Sequence, residues 1–135
     1  MKLSKHFKTP IFFWLILCPL FGFAQKAFEM IHYKGVVNGI SVKCDLANGY
    51  IGATEITMLP RHKKPLIFIA ASLSPDNHRA IKFLHYQNPL KADESYFILQ
   101  GMKELYQEDP SKLFGVYKEK NKKYKVELTL VKAAQ

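Results

Sequence analysis

From Phe28 to the end of the chain, apolar and polar residues alternate with a period of two, broken at short intervals by turn-forming residues. The alternation is cleanest over Ile40, Val42, Cys44 and Leu46, a run bounded by Asn38-Gly39 and Asn48-Gly49. Asn-Gly suits a two-residue turn with φ > 0 at both positions, whose twist matches that of the strands it joins. A turn at Asn38-Gly39 sets Val37 opposite Ile40, Gly35 opposite Val42, Tyr33 opposite Cys44 and Ile31 opposite Leu46, all on one inward face. The outward face then pairs His32 with Asp45 and Lys34 with Lys43. At the second pair, a three-residue loop Ala47-Asn48-Gly49 with Gly49 left-handed keeps Glu55 outward. The same loop turns Tyr50 and Thr54 inward and Ile51 outward.

The third strand runs to Met58, and Leu59 to Pro65 is a polar, proline-bounded loop. Leu66 to Leu73 is a strand apolar on both faces in its first half, closed by a turn at Ser74-Pro75-Asp76-Asn77. Arg79 to Tyr86 and Ser95 to Met102 are further strands, separated by a loop over Gln87 to Glu94. A helical turn or loop leads through Pro110 into a closing hairpin of Lys112 to Lys118 and Lys123 to Val131. In that hairpin Tyr117 faces Tyr124, Gly115 faces Val126, and Leu113 faces Leu128. Eight short sequential strands predict an all-β chain, an antiparallel up-and-down eight-stranded barrel whose closure removes exposed edges. A two-sheet β-sandwich is the alternative.

The first residues do not fit this pattern. Lys2, Lys5 and Lys8 precede a continuous apolar run, Ile11 to Leu17, followed by Pro19, Gly22 and Ala24. That is the layout of a cleaved secretory signal peptide over 1–24, leaving 25–135 as a single β-barrel domain. The run is shorter than the roughly 20 apolar residues a membrane-spanning helix needs, so no transmembrane segment is expected after cleavage. A lipoprotein anchored at Cys18 is the weaker alternative, because Leu17 stands where a small residue is wanted. The chain is predicted to be exported, periplasmic or secreted. Cleavage removes one of two cysteines, so Cys44 has no intrachain disulfide partner.

YKGVVNGISVKCDL at the start of the domain and LFGVYKEKNKKYKVELTLV at its end each place an inward glycine, Gly35 and Gly115, among apolar neighbours. In this the chain resembles the small calycin barrels, the lipocalin-like and avidin-like exported proteins. The resemblance implies an eight-stranded barrel whose interior holds a small apolar ligand. It carries over no ligand residue, since the lipocalin Gly-x-Trp is replaced by Gly35-Val36-Val37.

Candidate chemistry is sparse. His32, His62, His78 and His85 have no spacing that would place ligands on one metal, and no cofactor motif is present. Acidic residues on strands alternate outward, and no serine lies in a nucleophile-elbow context, so an enzyme is not expected. Tyr33, Tyr50, Tyr117 and Tyr124 fall on the inward parity, as do Cys44 and His85. Together these six would line a ligand site, their hydroxyls framing its polar end. Lys118, Lys120, Lys122, Lys123 and Lys125 concentrate charge at the last hairpin, within a chain of net charge +9. They are candidates for polyanion contact, but no aromatic residue is interleaved for base stacking, so nucleic acid is not an expected partner. The function expected is an exported, non-catalytic binding module for a small, partly apolar ligand in the barrel interior. The alternative is a protein-binding module, an inhibitor or cell-envelope complex subunit, that uses its outer surface or loops.

Overall fold

The computed structural model describes residues 28–72, 79–86 and 94–132. The leader assigned to 1–24, Cys18 within it, the turn at Ser74 to Asn77 and most of the loop after Tyr86 lie outside the described residues. Eight strands follow one another: β1 (Glu29–Val37), β2 (Ile40–Asn48), β3 (Glu55–Leu59), β4 (Leu66–Ala70), β5 (Ile81–His85), β6 (Ser95–Gln100), β7 (Lys112–Glu119) and β8 (Lys122–Leu130). Each pairs antiparallel with the next, and β8 returns to β1, so the sheet is a closed up-and-down barrel and not a sandwich. The β1–β2, β3–β4, β5–β6 and β7–β8 connections therefore lie at one end, here the hairpin end. The start of β1, the end of β8 and the other three connections mark the opposite, terminal end.

Both hairpins have the register that alternation and turn chemistry predict. Tyr33 pairs with Cys44 and Gly35 with Val42 across the first, where Asn38 (φ 50°) and Gly39 (φ 74°) form the turn. Across the last, Tyr117 pairs with Tyr124 and Gly115 with Val126. Inward residues of all eight strands then meet in one core that contains Leu46, Ile56, Phe68, Phe83, Phe97, Leu99 and Val126.

The second connection departs from the expectation. β2 continues to Asn48, and the chain then makes a single 3-10 turn, Ile51–Ala53, before β3 begins. That turn breaks the two-residue period. Ile51, expected outward, is fully buried, and Tyr50, expected inward, is 42% exposed with its ring 5.9 Å from that of Phe28. Gly49 is left-handed (φ 90°), Glu55 is exposed and Thr54 is buried, as expected. The Thr54 hydroxyl accepts a hydrogen bond from the Ala47 amide at 3.1 Å, which holds the corner.

Closure rests on two glycines. A Cβ at Gly35 would lie 2.6 Å from the Glu127 carbonyl oxygen and 2.8 Å from a Leu128 methyl of β8. A Cβ at Gly115 would collide with the Ile98 carbonyl of β6. Both bare positions let neighbouring backbones approach more closely than a side chain would allow. Gly35→Ala is expected to lower stability by about 1–3 kcal/mol, the usual cost of overpacking, in urea denaturation. Wild-type stability in that variant would show that this approach does not limit closure.

Candidate functional site

The six residues expected to line one ligand site are distributed along the barrel and not gathered. Tyr33 and Cys44 are buried side by side, and the Tyr33 hydroxyl donates 2.8 Å to the Pro110 carbonyl near the terminal end. Burial, and next the Asp109 carboxylate, push that phenol up; burial, and next Asp45, push the Cys44 thiol up. Tyr50 lies outside. Toward the hairpin end, Tyr124 is half-buried and stacks on Tyr117 at 6.1 Å, while His85 packs 5.4 Å from Phe68. Burial raises the Tyr117 phenol, reinforced by Glu119 and partly opposed by a hydrogen bond with Ser95. The buried His85 Nε2 has no hydrogen-bond partner among the described residues.

Ring contacts fill the space between these groups. Phe68 meets Phe97 edge-on at 4.8 Å and Tyr117 at 6.2 Å, and Phe97 lies 4.6 Å from Tyr117. Phe97 and Tyr117 are register partners on β6 and β7, and Phe68 reaches both from β4 across β5, so the interior along this side is packed as a core.

The terminal end carries a contact that the sequence pattern did not reveal. Asn48 donates through Nδ2 to the Tyr106 carbonyl at 2.9 Å and accepts from the Tyr106 amide at 2.7 Å. The Gly49 amide donates to the Glu104 carbonyl at 3.1 Å, so the β6–β7 loop is pinned across the end of β2. Met102 and Tyr106 are buried beneath it, beside a surface groove of about 620 Å³ lined by Leu105, Gln107 and Pro110 among others. The sequence signal was a loop in which Met102, Leu105 and Tyr106 stand among charged and polar residues.

Outside the barrel the two halves differ. On β4 to β7 the outward positions are Ile67, Ile69, Lys82, Leu84, Tyr96, Ile98, Gln100, Lys112, Phe114, Val116 and Lys118. Cross-strand pairing joins the apolar ones into rows: Ile69 with Leu84 and Leu84 with Tyr96, Ile98 with Val116. Ile69 is 38% and Phe114 48% exposed, and the others are half-buried against one another. On β8, β1, β2 and β3 the outward positions carry His32, Lys34, Ser41, Lys43, Asp45, Glu55, Thr57, Lys123, Lys125, Glu127 and Thr129, with Met30, Val36, Ala47 and Leu59 as the apolar exceptions. A legible sign existed in the double-faced apolar character of Leu66 to Ile69 and of SYFILQ.

The lysines divide between two places. Lys118 holds its ammonium 5.7 Å from the Tyr96 ring centre and Lys82 holds its own at 4.3 Å, both on the apolar face. On the adjoining β8, Lys123 pairs with Lys118 and Lys125 with Val116. Lys120 and Lys122 instead line a depression of about 460 Å³ at the hairpin end, beside Asn38 and Tyr124. Glu127 is engaged by Lys112 at 2.6 Å, and that bond holds its carboxyl below the usual range.

Among the described residues no three His, Cys, Asp or Glu side chains converge as metal ligands, and no helix is long and apolar enough to cross a membrane. The fold and surfaces define a closed, antiparallel eight-stranded β-barrel with a packed lumen and an amphipathic exterior. Comparison with known proteins finds no matching family model, no similar curated protein and no similar solved structure.

Cys44 supplies a pH test. Its folded thiol keeps its proton to higher pH than the unfolded one, so above the ordinary thiol range the unfolded state binds fewer protons. Stability contributed by this group is constant below that range and is lost as pH rises through it. The urea midpoint is expected to fall between about pH 8 and pH 10, and less steeply in Cys44→Val. Identical slopes for the two proteins would contradict the buried-thiol assignment.

Proposed function

We propose that the chain is an exported, non-catalytic binding module of the lipocalin-like, calycin kind, and that it docks a protein partner on the outer face of β4 to β7. The observation that carries this reading is a pair of apolar rows, Ile69–Leu84–Tyr96 and Ile98–Val116, with Phe114 exposed on the same face opposite Gln100, outside a packed barrel. Scattered surface hydrophobes are ordinary, but a contiguous apolar patch bordered by polar residues marks an interaction surface. Closure bears on the mode of binding. With every strand paired on both sides, no edge is left for a partner to add a strand. Export is supported by the layout of residues 1–24 and belongs to the same proposal.

Photo-crosslinking in the native cell tests this directly. A benzophenone side chain at Ile98 is expected to give one discrete protein adduct, lost in Phe114→Glu. The same group at Thr57, on the opposite half, is expected to give none. Equal adducts from both positions, or none from Ile98, would remove the proposal.

One observation favours a second reading, a small, partly apolar molecule bound at the hairpin end. The His85 Nε2 atom is buried without a partner among the described residues, and an unpaired buried polar group costs about 1–3 kcal/mol until something bonds to it. A ligand there would meet His85, Tyr117 and Tyr124 but neither Tyr33 nor Cys44. Titration with naphthoate, followed by NMR of the His85 ring, is expected to show saturable shifts on this reading. Unmoved His85 signals would dismiss it.

A further inference from the structure

The border of the apolar face is asymmetric in charge. On its β8 side Lys118 and Lys123 face each other in register, and Lys125 lies opposite Val116. Glu127, two residues along β8 from Lys125, is held by Lys112 at 2.6 Å and lies in the field of Lys125 as well. No carboxylate occupies a described outward position on β4 to β7 themselves. Lys118 is further anchored by its position over the Tyr96 ring, which directs a cation along the apolar surface. The result is an apolar field with a lysine strip along one side.

We infer that the partner of this face is a protein presenting an apolar patch with carboxylates along one edge, which meet the strip Lys118, Lys123 and Lys125. The inference rests on the docking reading above and adds the partner's chemistry to it. An apolar centre with a charged border has the ordinary anatomy of a protein interface, in which complementary border charges set orientation and encounter rate. Four strands about 4.8 Å apart make the field roughly 15 Å across, wide enough for the centre of a standard interface.

Two other occupants fit less well. A second copy of the chain would bring to the strip either its own lysines or its far border, where β3 presents Glu55 and Thr57. There Glu55 is in register with Asp45 of β2, which His32 already engages at 2.7 Å, so two carboxylates, one of them shared with His32, would face three lysines. A lipid surface calls for side chains that project into the acyl region, as on an amphipathic helix or a loop tip. Here the apolar groups sit on the strands of a closed barrel, mostly half-buried, and none stands at a described loop tip.

The test uses the full chain with benzophenone at Ile98, alone and combined with Lys118→Glu, Lys123→Glu and Lys125→Glu. Reversal of the strip is expected to cut adduct yield by about tenfold or more, since like charge replaces complementary charge. Lys34→Glu with Lys43→Glu, on the opposite half, is expected to leave the yield unchanged. The neutral set Lys118→Gln, Lys123→Gln and Lys125→Gln should give an intermediate yield, and it serves as the readout if the reversed chain fails to fold. The adduct peptide on the partner should lie beside acidic residues. Undiminished yield with the reversed or neutral strip overturns the inference and leaves docking standing. An adduct to a second copy or to lipid overturns it as well, and no adduct from the otherwise unchanged chain removes both.

Discussion

The backbone of β1 approaches that of β8 so closely that position 35 has no room for a side chain: a Cβ there would lie 2.6 Å from the Glu127 carbonyl oxygen. The seam itself is short. Tyr33 and Lys34 of β1 are in register with Leu130 and Thr129 of β8, and the Val131 amide donates to the His32 carbonyl at 2.8 Å just beyond. Gly115 permits a similar approach between β7 and β6. If this seam is held, every strand has two neighbours and the inward side chains face one another at short range. If it is lost, the sheet has two open edges.

Tight closure explains why the inside and the outside divide the work as they do. Bulky inward residues, Phe68, Phe83, Phe97 and Tyr117 among them, occupy the lumen and leave it little to offer a ligand in its middle. Chemistry is then confined to the ends and the outer surface. The terminal end is occupied by the β6–β7 loop, fastened by paired hydrogen bonds between Asn48 and Tyr106. At the hairpin end the His85 ring nitrogen Nε2 is unpartnered among the described residues. Among the outward surfaces, the β4 to β7 face has apolar residues joined across strands, and its lysine border gives that face a direction.

How much of this was legible depended on how local the cause was. Asn38-Gly39 dictates its own turn, and the two-residue period then fixes which residues meet across β1 and β2 and across β7 and β8. The barrel followed from eight such units with short connections. Tyr50 and Ile51 were misplaced because a single 3-10 turn shifts the phase, and the contacts that hold the corner, Thr54 to Ala47 and Gly49 to Glu104, join residues that the period does not relate. The Asn48–Tyr106 pair spans 58 positions and left no periodic trace. Expecting six inward residues to form one site overlooked position along the barrel axis. Parity separates inside from outside, but it does not say how deep a residue lies. The outer apolar face had been written in β4 and β6, whose apolar residues occupy both parities, and its meaning emerged only when register joined them to β7.

The central claim is that apolar binding capacity lies outside a packed barrel. Benzene titrated into methyl-labelled protein tests it most directly, because benzene enters dry apolar cavities when they exist. The account predicts shift changes confined to the methyls of Ile67, Ile69, Leu84, Ile98 and Val116. Saturable shifts at Leu46, Ile56, Leu99 and Val126 would contradict it and return the binding site to the interior.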